Sequence, residues 1–202
     1  MCSSDLDFTA RQFILPLVDA LRERNYDVSI CCGRGCYFEA MQAAGYRMID
    51  NPVSRSTNVF RHLVAIVRTW RLLRRERFDV IHVHTPIAGL IGRIAAAMAF
   101  VPVRIYTAHG FYFHDRMPWH KRLALVALER LGAAFGHFIM TVSREDEESA
   151  VRCRIERPER IETILNGVDT LRFSSSRFSR ADREQIRVKL GLWKDAIVFG
   201  FV

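Results

Sequence analysis

Residues 104–111 read Arg-Ile-Tyr-Thr-Ala-His-Gly-Phe, a β-branched run that closes on His109 and Gly110. In an open α/β sheet, ligands collect outside the carboxyl ends of the strands, so an imidazole delivered there on a glycine-loosened turn is placed for chemistry. One strand-helix unit upstream, residues 78–86 read Phe-Asp-Val-Ile-His-Val-His-Thr-Pro. His82 and His84 are two apart on a strand and share a face, a spacing with which metal hydrolases hold an ion. Thr85, Pro86 and Ile87 stand where the usual acidic ligand would follow, so packing of both rings in the core competes with the metal reading. Ser143 and Asp146 form a Ser-x-x-Asp pattern that helix capping explains without a ligand. Asn166-Gly167 is a turn signal, because this pair adopts positive φ readily.

The elements that must carry these residues alternate along the chain. Strands are predicted at 28–32, 46–49, 80–84, 103–107, 138–142 and 161–165, and helices at 37–44, 59–77, 87–99, 120–135 and 145–151. This alternation implies right-handed crossovers and a doubly wound parallel sheet of the Rossmann-like α/β class. An amphipathic helix with Phe13, Ile14, Leu17, Val18 and Leu21 at helical spacing precedes them. A Ser-rich stretch at 174–179, a helix at 180–190 and a buried-strand run from Ala196 to Val202 follow.

The chain has 202 residues, 50% hydrophobic and 26% charged, as an ordinary globular α/β protein does. The apolar stretch from Ile87 to Val103 is interrupted by Arg93 and no signal-peptide pattern is present, so a cytoplasmic location is expected. Five cysteines without a regular framework are expected to be reduced thiols. A net charge of +8 favours anionic partners: nucleotide phosphates, lipid head groups or nucleic acid. No recognition motif supports a nucleic-acid partner. The 59–77 helix sets Phe60, Leu63, Val64 and Val67 on one face and Arg61, Arg68, Arg71 and Arg75 on another. Such a helix serves an anionic membrane surface or packs on the sheet with a solvated arginine face. The aromatic loop 111–119 likewise suits a membrane interface, a lid or plain packing.

In order and spacing, the Phe78–Pro86, Arg104–Phe111 and Ile164–Phe173 stretches resemble the acceptor-side half of a family 4 glycosyltransferase of the GT-B fold, of the bacterial polysaccharide-biosynthesis type. The resemblance implies transfer of a sugar, with retention, from a nucleotide-sugar donor to a lipid-linked or saccharide acceptor. The donor is expected to be UDP-linked, a substrate rather than a cofactor, and no metal is expected. It implies that His109 contacts and orients the donor sugar, and a neutral imidazole can hydrogen-bond a sugar hydroxyl through one nitrogen and a backbone carbonyl through the other. It further implies that His84 and Gly89 line the acceptor side, and that Gly110, Phe111, Ser143, Arg144, Asn166 and Gly167 border the cleft. Where the family commonly has Asp after the helix that follows the A-H-G loop, this chain has Gly136-His137.

Residues 1–6 resemble an adapter-encoded scar, residues 7–173 the family's N-terminal domain without its first strand, and residues 174–202 a linker, a helix and the start of a nucleotide-sugar-binding domain. The chain is thus expected to be a fragment, inactive by itself, from an enzyme that is cytoplasmic or peripheral on the inner face of the membrane. Alternatives are a non-catalytic acceptor- or membrane-binding half-domain and a GT-B nucleotide-sugar epimerase.

Overall fold

A computed structural model describes residues 10–53, 58–193 and 196–199; the proposed scar at 1–6 lies outside them. The chain forms two compact units, 1–165 and 166–202.

In the first unit a π-helical turn, Ala10–Ile14, leads into α1 (Leu15–Arg22). Strand β1 (Ser29–Cys32), α2 (Phe38–Ala43) and β2 (Arg47–Asp50) come next, then α3 (Val59–Glu76), β3 (Val80–His84) and α4 (Pro86–Met98). Strand β4 (Val103–Ala108), α5 (Trp119–Ala134), β5 (Phe138–Thr141), α6 (Arg144–Arg152) and β6 (Ile161–Thr163) complete it. All strand pairs are parallel, as the alternation predicts.

The sheet is in two hydrogen-bonded pieces, β1-β2 and β3-β4-β5-β6. No strand among the described residues bridges β1 and β3. Strand β4 lies inside the four-stranded piece, and its Tyr106, Thr107 and Ala108 are all buried. A parallel strand covered on both sides has no solvent face to alternate with.

Core packing under β4 centres on Arg93, the buried charge that interrupts the apolar α4 sequence. Its side chain is fully buried. Nε donates to the carbonyl of Gly89 at 2.9 Å, Nη2 meets Glu129 of α5 at 3.3 Å, and the guanidinium lies 4.2 Å from the Tyr106 ring centroid. Glycines make the room. A Cβ on Gly132 would sit 2.2 Å from Arg93 Nη2, and one on Gly89 would sit 2.7 Å from the Tyr106 ring.

Helix α3 is capped by Asn58, whose side chain accepts the Phe60 N–H at 2.9 Å, and it ends on Arg77 in the left-handed region. Its buried stripe is Ala65, Thr69 and Leu73, one residue per turn. The Thr69 hydroxyl accepts from Asn51 Nδ2 at 2.8 Å, joining the helix to the end of β2. The larger apolar face, Phe60, Leu63, Val64 and Val67, is exposed. This reverses the sheet-packing reading of that face.

The second unit holds a 3₁₀ turn, Ser175–Arg177, and α7 (Arg180–Lys189), which begins with a reciprocal Ser179–Asp182 capping box. Of the strand expected at 196–202, residues 196–199 form no strand and the others lie outside the described residues. A parallel strand needs a neighbour on a sheet, and the described residues of this unit include none. Cys31, Cys32 and Cys153 are free thiols.

Candidate functional site

Strands β3 and β4 run in register, His84 opposite Thr107. His84 is therefore the last residue of one strand and His109 follows the end of its neighbour. Across that gap His84 Nδ1 and His109 Nε2 are 3.2 Å apart, a hydrogen bond between two imidazoles. The partner of His109 is thus a second histidine, where the sequence reading allowed a backbone carbonyl. One ring back, His82 Nε2 meets the Thr107 hydroxyl at 2.7 Å. The His82 and His84 rings are tilted at 32° with centroids 4.3 Å apart, and His84 and His109 centroids are separated by 5.5 Å.

The electrostatics keep these rings neutral. Burial, reinforced by the charge His109 would carry, pushes His82 down to about 4. Burial and its two histidine neighbours hold His84 well below the ordinary imidazole range, and burial also lowers His109. A neutral imidazole has one N–H and one lone pair. The single proton shared by His84 and His109 therefore couples their tautomers: whichever role His84 Nδ1 plays, His109 Nδ1 presents the same role to a ligand. Among the described residues, no group of three or more His, Cys, Asp or Glu is arranged to hold a metal ion.

The backbone around the pair is shaped by two unusual torsions. Gly110 has φ of 101°, open to glycine and costly for a side chain. Thr85, directly after His84, has φ 66° and ψ 148°, a conformation almost restricted to glycine. Its carbonyl accepts the Gly89 N–H at 2.7 Å, which starts α4 immediately behind the histidine.

The other predicted residues divide. Phe111 donates its N–H to Asp146 at 3.5 Å and stacks on Phe113, with ring centroids 5.1 Å apart. Ser143 is occupied as the cap of α6, accepting the Asp146 N–H at 3.1 Å and donating to Asp146 Oδ2 at 2.8 Å. Arg144 beside it is exposed. Gly89 is buried beneath Tyr106, so packing accounts for it. Asn166 and Gly167 open the second unit and are exposed. The positive φ expected of that pair falls on Leu165, at 57°. At the Gly136-His137 departure, the His137 N–H donates to the Arg104 carbonyl at 2.9 Å and the Arg104 N–H donates to His137 Nδ1 at 3.2 Å. Sequence reasoning missed Thr107 as a partner of His82. It also missed Phe13, whose ring lies 5.7 Å from that of His109.

Parallel strands alternating with helices define a domain of the doubly wound α/β class. The chain belongs to the glycosyl transferase 4-like domain family, whose profile matches residues 9–167. It is 26% identical over 186 residues to the UDP-Gal:alpha-D-GlcNAc-diphosphoundecaprenol alpha-1,3-galactosyltransferase of Escherichia coli, covering 91% of this chain and 47% of that protein. It is 25% identical over 191 residues to the capsular polysaccharide biosynthesis glycosyltransferase CapM of Staphylococcus aureus, covering 92% and 48%. Among solved structures it superimposes on a glycosyltransferase from Rickettsia africae ESF-5 with a TM-score of 0.66 at 13% identity, covering 96% of this chain and 48% of that one. The likeness in structure establishes the shared fold. The chain spans about half the length of the relatives it matches.

Proposed function

We propose that this chain is the acceptor-side half of a retaining glycosyltransferase that transfers a sugar from a UDP-linked donor to a lipid-linked or saccharide acceptor in cell-surface polysaccharide assembly. The observation that carries the reading is the neutral His84–His109 pair at adjacent strand ends in a chain of the glycosyl transferase 4-like family. In the transfer, the bond from the anomeric carbon to the donor diphosphate breaks. A new bond forms to an acceptor hydroxyl oxygen, whose proton passes to the departing diphosphate oxygen, and UDP leaves. A neutral imidazole suits the positioning of the sugar, because it exchanges hydrogen bonds with a hydroxyl while bringing no charge of its own. His109 is the orienting group and His84 holds it.

The names of the relatives support the substrate class: one acts between UDP-Gal and a diphosphoundecaprenol-linked GlcNAc, and the other belongs to capsule synthesis. A lipid-linked acceptor is presented at a bilayer, so the enzyme works as a peripheral protein on the cytoplasmic face of the membrane. The nucleotide is held by a second domain, and no metal or other cofactor is assigned.

The test supplies labelled UDP-sugars and a lipid-linked GlcNAc acceptor to the chain alone and to the chain joined to the second half of the Escherichia coli relative. Transfer by the joined protein only, abolished by His109→Ala, is expected. Turnover by these 202 residues alone would overturn the division of labour. Transfer that His109→Ala leaves intact would overturn the role of the histidine.

A further inference from the structure

Helix α3 already buries one stripe against the fold, Ala65, Thr69 and Leu73. Its opposite face is apolar as well: Phe60, Leu63 and Val64 are 79, 53 and 61% exposed. A contiguous apolar cluster left on the surface marks a contact with something else. The charge around it is of one sign. The helix carries five arginines and a single acid, Glu76, which is committed to Arg47 at 2.6 Å and to Arg75 at 2.8 Å. Arg61, Arg68, Arg71 and Arg74 make no ion pair among the described residues.

The same face forms one wall of an open cleft of about 750 Å³, with Ile49, Asp50 and Asn51 at the end of β2 opposite Val64, Val67, Arg68 and Arg71. Asp50 faces Arg34 at 3.3 Å, so the cleft has an apolar wall, free guanidinium groups and a carboxylate that is already engaged. Nucleic acid would match the arginines and leave the apolar cluster wet. The headgroup region of an anionic bilayer accepts both, apolar side chains below the phosphates and arginines among them.

We propose that the outward face of α3 docks the protein on an anionic phospholipid surface, with Phe60, Leu63 and Val64 entering the headgroup region and Arg68 and Arg71 holding lipid phosphates. This deepens the reading of a transferase on a lipid-linked acceptor and rests on it for the choice of a bilayer as the anionic partner.

Flotation of the full chain with vesicles tests it, using phosphatidylglycerol mixed into phosphatidylcholine and phosphatidylcholine alone, without donor or sugar acceptor. The chain is expected to float with the anionic vesicles at low salt and to be released at high salt. Arg68→Glu/Arg71→Glu lowers the partition coefficient by about tenfold or more. Phe60→Ser/Leu63→Ser lowers it too, and both pairs leave the circular dichroism spectrum unchanged because the replaced side chains are exposed. Failure of the unsubstituted chain to float, or flotation indifferent to both pairs, would overturn the proposal. So would a dimer in solution that Leu63→Ser dissolves, which would assign the face to a second copy. Flotation and sugar transfer are read separately, so either can fail while the other stands.

Discussion

His84 Nδ1 and His109 Nε2 share one proton across 3.2 Å at the ends of two parallel strands. Removing His84 frees His109 to rotate and to take either tautomer. In the transfer assay, His84→Ala is expected to lower kcat by about ten- to a hundredfold with a smaller change in donor KM. His84→Asn, whose amide sits where Nδ1 was, should retain most of the rate. Imidazole nitrogen NMR shifts of His109 provide the second readout: a single tautomer in the parent chain, a mixture in His84→Ala, and a restored preference in His84→Asn.

Acid should destabilise the fold through His82. The unfolded chain takes up a proton near the ordinary value of 6.5, whereas burial holds the folded ring neutral down to about 4. Between those values the unfolded state binds more protons, so stability falls as the pH drops through that window and is fully present above it. The loss approaches roughly 3 kcal/mol once the window is crossed. Urea midpoints measured across it should fall with acid in the parent chain and stay flatter in His82→Gln.

The Arg93–Glu129 pair is a test of packing without solvent. Gly132→Ala would place a methyl group 2.2 Å from Nη2 of the fully buried Arg93. A loss of roughly 1–3 kcal/mol in urea unfolding is expected. Glu129→Leu, which leaves a buried guanidinium without its carboxylate, should cost about 3–5 kcal/mol. Adding Arg93→Met to Glu129→Leu should recover much of that loss, since an apolar pair has no unpaired charge to bury.

Ser143 distinguishes a cap from a ligand contact. Ser143→Ala removes the acceptor for the Asp146 N–H and should lower stability by about 1 kcal/mol. Ser143→Asp should restore it. Unchanged KM values for both substrates in Ser143→Ala would confirm capping, and a rise of tenfold or so in either would instead make Ser143 a substrate contact.

The element order was legible because a buried parallel strand reads as a short apolar run and each helix repeats at its own period. Orientation was less so. On α3, periodicity picked out Phe60, Leu63, Val64 and Val67 by size, whereas the stripe that packs is the smaller Ala65, Thr69 and Leu73. Two faces of one helix can both be apolar, and only the neighbours decide which is buried. Arg93 was read as an interruption of an apolar stretch; its burial depended on Glu129, thirty-six positions away. His109 could be picked out from its local run, but its partner could not, because that contact is created by strand register.

His84 is held opposite Thr107 by the repeat between adjacent strands, about 4.8 Å in any parallel sheet, and His109 lies two residues further along the chain. The thirteen-residue crossover helix α4 does not enter into it. The two positions therefore behave as a two-point template, and a change in the length or outer surface of that helix leaves their spacing untouched. A carboxylate written at one point and an imidazole kept at the other, as in His84→Glu, would turn an orienting pair into a proton-accepting dyad on the same backbone.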